Sequence, residues 1–165
     1  MIRLLTLDEV DEYIQGDPVR PHLSAEFRTT VGRQVWGLFE DQYAVAHTPS
    51  TQPLAVICVA YTNAAPTNEI ELDWFSSASG SGAVTTNTAV FYTVWSYSKG
   101  AGQTIVNSVA ERIRATRPEI VRWITLSPLT TMAERFHIKN GARLKSIHNT
   151  AQIFEYTHLM LETSI

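Results

Sequence analysis

"AVFYTVWSYSKGAGQTIVNSVAERI", residues 89–113, is the stretch on which the fold turns. Residues 89–95 are mostly β-branched or aromatic, the composition of a strand. "SYSKGAG" (96–102) is a glycine-containing turn. From Gln103 onward, Ile105, Val106, Val109, Ala110 and Ile113 share one stripe at helical spacing, with Asn107, Glu111 and Arg114 on the other face. Pro118 ends that helix. A strand, a Gly-x-Gly turn and a helix point the free N–H groups of the turn and first helical turn at an anion, and so form a phosphate site. A short glycine turn is also the ordinary tight connection between strand and helix. The elements on the C-terminal side of the turn decide between the two.

Downstream, "VRWITL" (121–126) predicts a strand, and "SPLTTMAERFHIKNGA" (127–142) a loop, a helix and its Asn-Gly cap. "RLKSI" (143–147) and "AQIFEY" (151–156) predict a hairpin around "HNT". Upstream, "TLDEVDEYI" (6–14) reads as a short amphipathic helix, with Thr6 as N-cap and Glu9 closing a capping box. "DPVRP" (17–21) breaks it, and "SAEFRTTV" (24–31) starts a second helical piece at Ser24. "QVWGLFE" (34–40) is a strand, "HTPSTQP" (47–53) a turn, and "LAVICVAY" (54–61) a strand buried on both faces. "NEIELDWF" (68–75) alternates charged and apolar residues, which argues for a strand, with a short helix as the alternative. "SSASGSGAVTTNT" (76–88) reads as a flexible loop. No repeat and no long linker divides the chain, so residues 1–165 are expected to form a single domain.

The composition is 44% hydrophobic and 18% charged, that of a globular protein. A net charge of −3 without a basic run leaves no electrostatic footprint for nucleic acid. The longest apolar run is too short to span a membrane, and the N-terminal residues lack the layout of a signal peptide. Cys58 is the only cysteine, so no internal disulfide forms, and a reducing, cytoplasmic setting fits. Inside an apolar strand it reads as a packing residue. The histidines show no ligand spacing, so no metal is expected. No Gly-x-Ser-x-Gly elbow supports a hydrolase. Glu69, Glu71 and Asp73 read as a solvated edge.

The order of strand, glycine turn, long helix, strand and a helix ending in "FHIKNGA" (136–142) resembles the acyl-CoA-binding half of the GCN5-related N-acetyltransferase (GNAT) fold. In that family the glycine turn binds the pyrophosphate of coenzyme A. The later helix usually ends in a Leu-Tyr-x-Lys-x-Gly-Phe pattern, whose tyrosine protonates the departing thiolate. Here His137 stands in the tyrosine's place, and Lys139 and Gly141 match. Tyr97 stands where Gln or Arg is usual. Within the same fold, "TLSP" (125–128) and "HIKNGA" (137–142) resemble the Thr-Leu-Ser-Pro and His-x-x-Asn-Gly-Ala motifs of the malonyl-CoA decarboxylase catalytic domain. "QPLAVICVAYT" (52–62) resembles the strand that precedes them, and the likeness runs over residues 33–147. The chain departs from those enzymes in three ways. It is expected to lack their helical N-terminal domain. It has only Leu129 to Phe136 where they carry a long insertion. It shows no clear Asn-Tyr-x-Tyr signature in "IFEYTHLML".

The resemblance implies an α/β (α+β) fold, with a mixed, mostly antiparallel sheet splayed between the strands at 89–95 and 121–126. It implies an acyl-CoA thioester, acetyl-CoA or malonyl-CoA, as substrate. Backbone groups of Val94, Trp95 and Ser96 would bond the pantetheine, and Lys99, Gly100, Ala101, Gly102 and Gln103 would hold the pyrophosphate. Ser127 would hold the carboxylate or enolate oxygen. His137, with an ordinary pKa of about 6.5, would supply the proton. Ser127 also has a plain reading as a helix-capping residue, and His137 as a cation at a helix C-terminus. The leading expectation is a malonyl-CoA decarboxylase-like carboxy-lyase. The alternatives are an acyl-CoA N-acyltransferase, and a module that binds CoA or protein without chemistry. The expected partner is a small acyl-CoA, not nucleic acid or membrane, and a homodimer stays open.

Overall fold

The computed structural model describes residues 1–40 and 52–159. A seven-stranded sheet runs in the order β1-β2-β3-β4-β5-β7-β6. The strands are β1 (Ile2–Leu4), β2 (Arg33–Leu38), β3 (Ala55–Thr62), β4 (Thr88–Ser96), β5 (Arg122–Thr125), β6 (Arg143–Ile147) and β7 (Gln152–Glu155). All neighbours pair antiparallel except β4 and β5, which are parallel and joined through a helix. This is the mixed, mostly antiparallel sheet that the resemblance implies.

β3 lies beside the central strand β4, and every residue of β3 is buried. Its alternation builds two cores. Ala55, Ile57, Val59 and Tyr61 pack under the long helix α4 (Ala101–Thr116), through its stripe Ile105, Val106, Val109, Ala110 and Ile113. Val56, Cys58 and Ala60 face the other way, onto α1 (Leu7–Tyr13), α2 (Ala25–Thr29) and α3 (Glu69–Gly80), which contribute Val10, Ala25 and Leu72. The last helix, α5 (Thr131–Lys139), sits on the α4 side through Phe136.

The feature that positions the site is the way β4 and β5 part. They pair from Thr88–Arg122 to Phe91–Thr125, and Leu126 adds one more bond to the Phe91 carbonyl. β4 then runs on to Ser96 with only β3 beside it. The chain after β5 turns away instead and bridges Ser127 to Gln152. A bulge accompanies the parting. Cys58 opposes Thr93 and Val59 opposes Phe91, so Tyr92 has no partner in the register. Such an extra residue bends a strand and sharpens its twist.

Two readings in residues 68–88 are corrected. Residues 69–75 form the start of α3, so of the two alternatives the helix holds and the strand does not, and residues 76–80 continue it rather than lying in a loop. Local chemistry at the start outweighs the alternation. The Asn68 side chain accepts from the Glu71 amide, the Glu71 carboxylate accepts from the Thr67 amide, and acidic residues fill the first turn. Ile70 and Trp74, whose spacing suggests a buried strand face, are exposed; Leu72 and Ser76, one helical turn apart, are the buried pair. Arg33 fastens α3 to β2 through Asp73, Ser76 and Ser77. Gly32 adopts φ +97° where α2 meets β2, and a Cβ there would stand 2.4 Å from the Ser76 carbonyl. The predicted turn at 47–53 lies mostly outside the described residues.

The N-terminal helices begin as expected, with the Thr6–Glu9 capping box and the Ser24 cap. Between them lies a fully buried ion pair. Arg28 Nη1 donates to Asp17 Oδ2 at 2.8 Å, and neither side chain is exposed. Removing one member leaves the other charge buried without compensation. Arg28→Met should therefore lower stability by about 3–5 kcal/mol, measured by denaturant unfolding. A loss below about 1 kcal/mol would show that the pair contributes little.

Candidate active site

The parted strands open a cleft of about 490 Å³. One wall is the free stretch of β4, at Val94, Trp95 and Ser96. Ser127 and Pro128 face it, α5 closes one end with Phe136 and His137, and the loop from Gly16 to Arg20 closes the other. Val94 to Ser96 pair with β3 on one side only. Their other edge meets no strand among the described residues, so its N–H and C=O groups are available to an extended ligand. Val94 is half-buried, Trp95 buried and Ser96 exposed.

The glycine turn lies where the sequence places it. Gly100 caps α4 in the left-handed region at φ +81°, and a Cβ there would meet nothing within 4 Å. Gly102 lines the cleft, and a Cβ on it would stand 3.1 Å from the Phe136 ring. As first-turn residues, Gly102 and Gln103 carry amides without a partner four residues back. Lys99 is exposed beside them. Ala101 differs: it is buried and its amide donates to the Ser98 carbonyl at 3.1 Å. Tyr97, at the place usual for Gln or Arg, accepts a bond from Trp95 Nε1 at 3.0 Å. Its hydroxyl occupies the space a side chain at Gly16 would need.

His137 and Ser127 line the same cleft, brought together from a helix C-terminus and a strand end. His137 is only 6% exposed. Its ring stacks on Phe154 at 5.4 Å between centroids and meets Phe136 and Tyr156 edge-on. Nδ1 lies 2.8 Å from Tyr156 Oη, which accepts from Asn140 Nδ2 at 3.3 Å. Asn140 in turn accepts from Asn107 of α4 at 3.3 Å. With Asn140 donating to it, the tyrosine hydroxyl can give its own proton to Nδ1. The neutral ring then carries its hydrogen on Nε2. Burial lowers the His137 pKa to about 4, so the imidazole is neutral at pH 7. This corrects the expectation of a group titrating at its ordinary value. Burial also raises the Tyr156 hydroxyl to about 12, which keeps it protonated.

Ser127 Oγ bonds to Thr125 Oγ1 at 2.8 Å, and Thr125 Oγ1 accepts from the Phe154 amide at 3.1 Å. Gln152 Nε2 donates to the Pro128 and Thr130 carbonyls and braces the turn. The Cys58 thiol is buried and pushed up to about 11 by burial, consistent with a packing residue. Among the described residues no group of His, Cys, Asp and Glu could hold a metal ion, and no helix is long and apolar enough to cross a membrane. The sequence reading missed Tyr156, Asn140, Thr125 and Arg20 as site residues. Thr125 and Asn140 lie inside the two motifs, a signal that could have raised them.

No protein-family model and no curated protein matches the chain. Solved structures do. A malonyl-CoA decarboxylase from Agrobacterium vitis superposes with a TM-score of 0.63 at 21% identity, over 88% of this chain and 38% of that one. The chain thus spans well under two thirds of that enzyme. The GNAT-like decarboxylase GphF, in complex with isobutyryl-CoA, gives a TM-score of 0.69 at 14% identity, covering 94% of this chain and 97% of that one. The chain has the GNAT-like fold. AtaT, complexed with acetyl-methionyl-tRNAfMet, shares it with a TM-score of 0.58 at 15% identity, covering 100% and 99%. A nucleic-acid ligand therefore occurs on this fold in AtaT, and net charge alone is a weak ground for excluding one.

The depressed His137 pKa links to stability with a definite sign. Between about 4 and its unfolded value near 6.5, the unfolded chain binds a proton that the folded one does not. Its contribution is thus complete above pH 6.5 and is lost as pH falls toward 4, by up to about 3 kcal/mol. Unfolding measured against pH should show this slope, and His137→Gln should flatten it. An equal slope in the variant would place the shift elsewhere.

Proposed function

We propose that the chain is an acyl-CoA enzyme, and specifically a decarboxylase of a malonyl-type thioester. One observation carries the reading. The cleft holds a buried hydroxyl and a buried imidazole, and among the described residues no carboxylate side chain lines it. Removing a proton from an amine acceptor calls for a base, and the one titratable base among those lining residues, His137, is a weak one with its pKa lowered to about 4. Loss of carbon dioxide calls for none. It needs donors for the developing enolate oxygen and a proton for the α-carbon.

On this reading the pantetheine runs along the free edge of β4 and the pyrophosphate meets the first turn of α4. The substrate carboxylate is an anion placed in the same cleft as His137, and it favours the imidazolium form that burial opposes. The bond between the α-carbon and the carboxylate breaks, and carbon dioxide leaves. The electron pair passes into the thioester enolate. Ser127, whose hydroxyl donates to Thr125 Oγ1 in the structure, turns that proton to the enolate oxygen. His137 then transfers its Nε2 proton to the α-carbon, giving the acetyl thioester and a neutral ring. Tyr156 Oη can donate to Nδ1 or accept from it, so the ring keeps its orientation in both states.

Released carbon dioxide and the mass of the thioester product test this directly. The protein should convert malonyl-CoA to acetyl-CoA. His137→Gln and Ser127→Ala should each lower turnover by about a hundredfold or more while CoA affinity changes little. Undiminished decarboxylation by His137→Gln would remove the histidine from the reaction. For the phosphate turn, CoA should raise the melting temperature by mass action, and Gly100→Asp, which sets a carboxylate against the pyrophosphate, should abolish the shift. A shift as large as the parent's would take the turn out of the site.

A further inference from the structure

We propose that Arg20 forms a carboxylate subsite of the cleft, one that selects thioesters whose acyl group carries a carboxylate. The proposal rests on the acyl-CoA reading above and names a determinant of its specificity. Arg20 lies in the loop between α1 and α2 and lines the cleft that Ser127 and His137 line. Its side chain is only 6% exposed. Among the described residues that side chain donates one hydrogen bond, from Nη1 to the Tyr92 carbonyl. Its ion-pair partner, Glu69, stands off at 3.9 Å from Nε, is 40% exposed, and is already held by His22 Nε2 at 2.6 Å. Burial works against the guanidinium charge, and Glu69 and Asp17 offset only part of that. A buried guanidinium with unused N–H groups is a fork shaped for a carboxylate.

The loop is built to hold this residue still. Asp17 Oδ1 accepts from the amides of Val19 and Arg20 at 2.8 and 3.0 Å. Arg28 Nη2 donates to the Arg20 carbonyl, while its Nη1 pairs with Asp17. The buried Asp17–Arg28 pair thus clamps the backbone of Arg20 from both sides. The Tyr92 carbonyl that receives Nη1 belongs to the bulge of β4, beside the last residue paired with β5. Arg20 is therefore anchored where the strands part. Thr93, in the same wall, has a buried hydroxyl without a partner among the described residues. Among those residues no Asp or Glu lines the cleft to repel an anion.

A cross-link between loop and strand would explain the Tyr92 bond but not the unused donors, and binding separates the two. Malonyl-CoA and acetyl-CoA are compared as competitors of labelled CoA, in a His137→Gln background so that malonyl-CoA persists. Malonyl-CoA should bind more tightly than acetyl-CoA. Arg20→Met should lose about thirtyfold or more in malonyl-CoA affinity while acetyl-CoA stays within about twofold. Arg20→Lys, which keeps the charge without the fork, should fall between, and it carries the same comparison if Arg20→Met does not fold. With His137 intact, Arg20→Met should raise KM for malonyl-CoA by more than it changes kcat. Equal weakening of both thioesters, or an unchanged ratio, would overturn the subsite and leave Arg20 a cross-link. If the parent protein binds neither thioester, the acyl-CoA reading itself fails and takes the subsite with it.

Discussion

The site depends on a hydrogen-bond ladder that stops. β4 and β5 pair as far as Phe91 and Thr125, and then β4 continues alone on that side. Unpaired backbone groups at the heart of a sheet are costly unless something bonds them. Two devices hold the gap open. The bulge at Tyr92 bends β4 away, and Ser127 is drawn off to bridge Gln152 at the next strand. The gap then connects the two faces of the sheet. Phe136 and His137 reach it from the α4 side, and Arg20 reaches it from the α1–α2 side. A ligand lying along β4 would thus meet groups from both layers of the protein.

Polar residues around the gap are fixed before any ligand arrives. His137 is gripped between Phe154 of β7 and a Tyr156–Asn140–Asn107 chain that ties α5 to α4 and to the residue after β7. Ser127 is fixed through Thr125 to the Phe154 amide. Both side chains are registered by Phe154 of β7, His137 through its ring and Ser127 through Thr125 to the Phe154 amide. Holding such groups at their working positions removes reorganisation from the reaction itself.

Much of this was legible in the sequence, for reasons that differ by element. α4 shows a clean helical stripe and a glycine start, and β3 is an unbroken apolar run. Both signals survive because burial alone decides them. α3 misled because Ile70 and Trp74 are apolar yet exposed, so the alternation carried no information about a sheet. Its helix comes from capping at Asn68, which apolar periodicity does not see. Ser127 and His137 were legible only through motif resemblance. Tyr156 was not, because a tyrosine at a strand end looks like any core aromatic until the fold sets it beside a histidine 19 residues away. Arg20 was hidden in "DPVRP", which reads as a helix breaker. The clamp that makes it rigid joins Asp17 to Arg28, and such pairing leaves no local pattern.

On the proposed reading, an arginine that grips a carboxylate and a reaction that expels it as carbon dioxide work against each other. An ion pair that stabilises the ground state raises the barrier by the same amount unless it persists into the transition state. The geometry answers this by dividing the labour. Arg20 spends one N–H on the Tyr92 carbonyl, and its charge is already partly met by Glu69 and Asp17. Its hold on a substrate carboxylate is therefore weaker than that of a lone buried guanidinium. The low-dielectric surroundings that depress the His137 pKa also penalise the localised carboxylate charge. They penalise the enolate less, because its charge is spread and met by the donors at Ser127 and His137. Selection of the anion and its loss can then coexist, provided the arginine orients the carboxylate and the buried hydroxyl–imidazole pair supplies the larger change in stabilisation along the reaction.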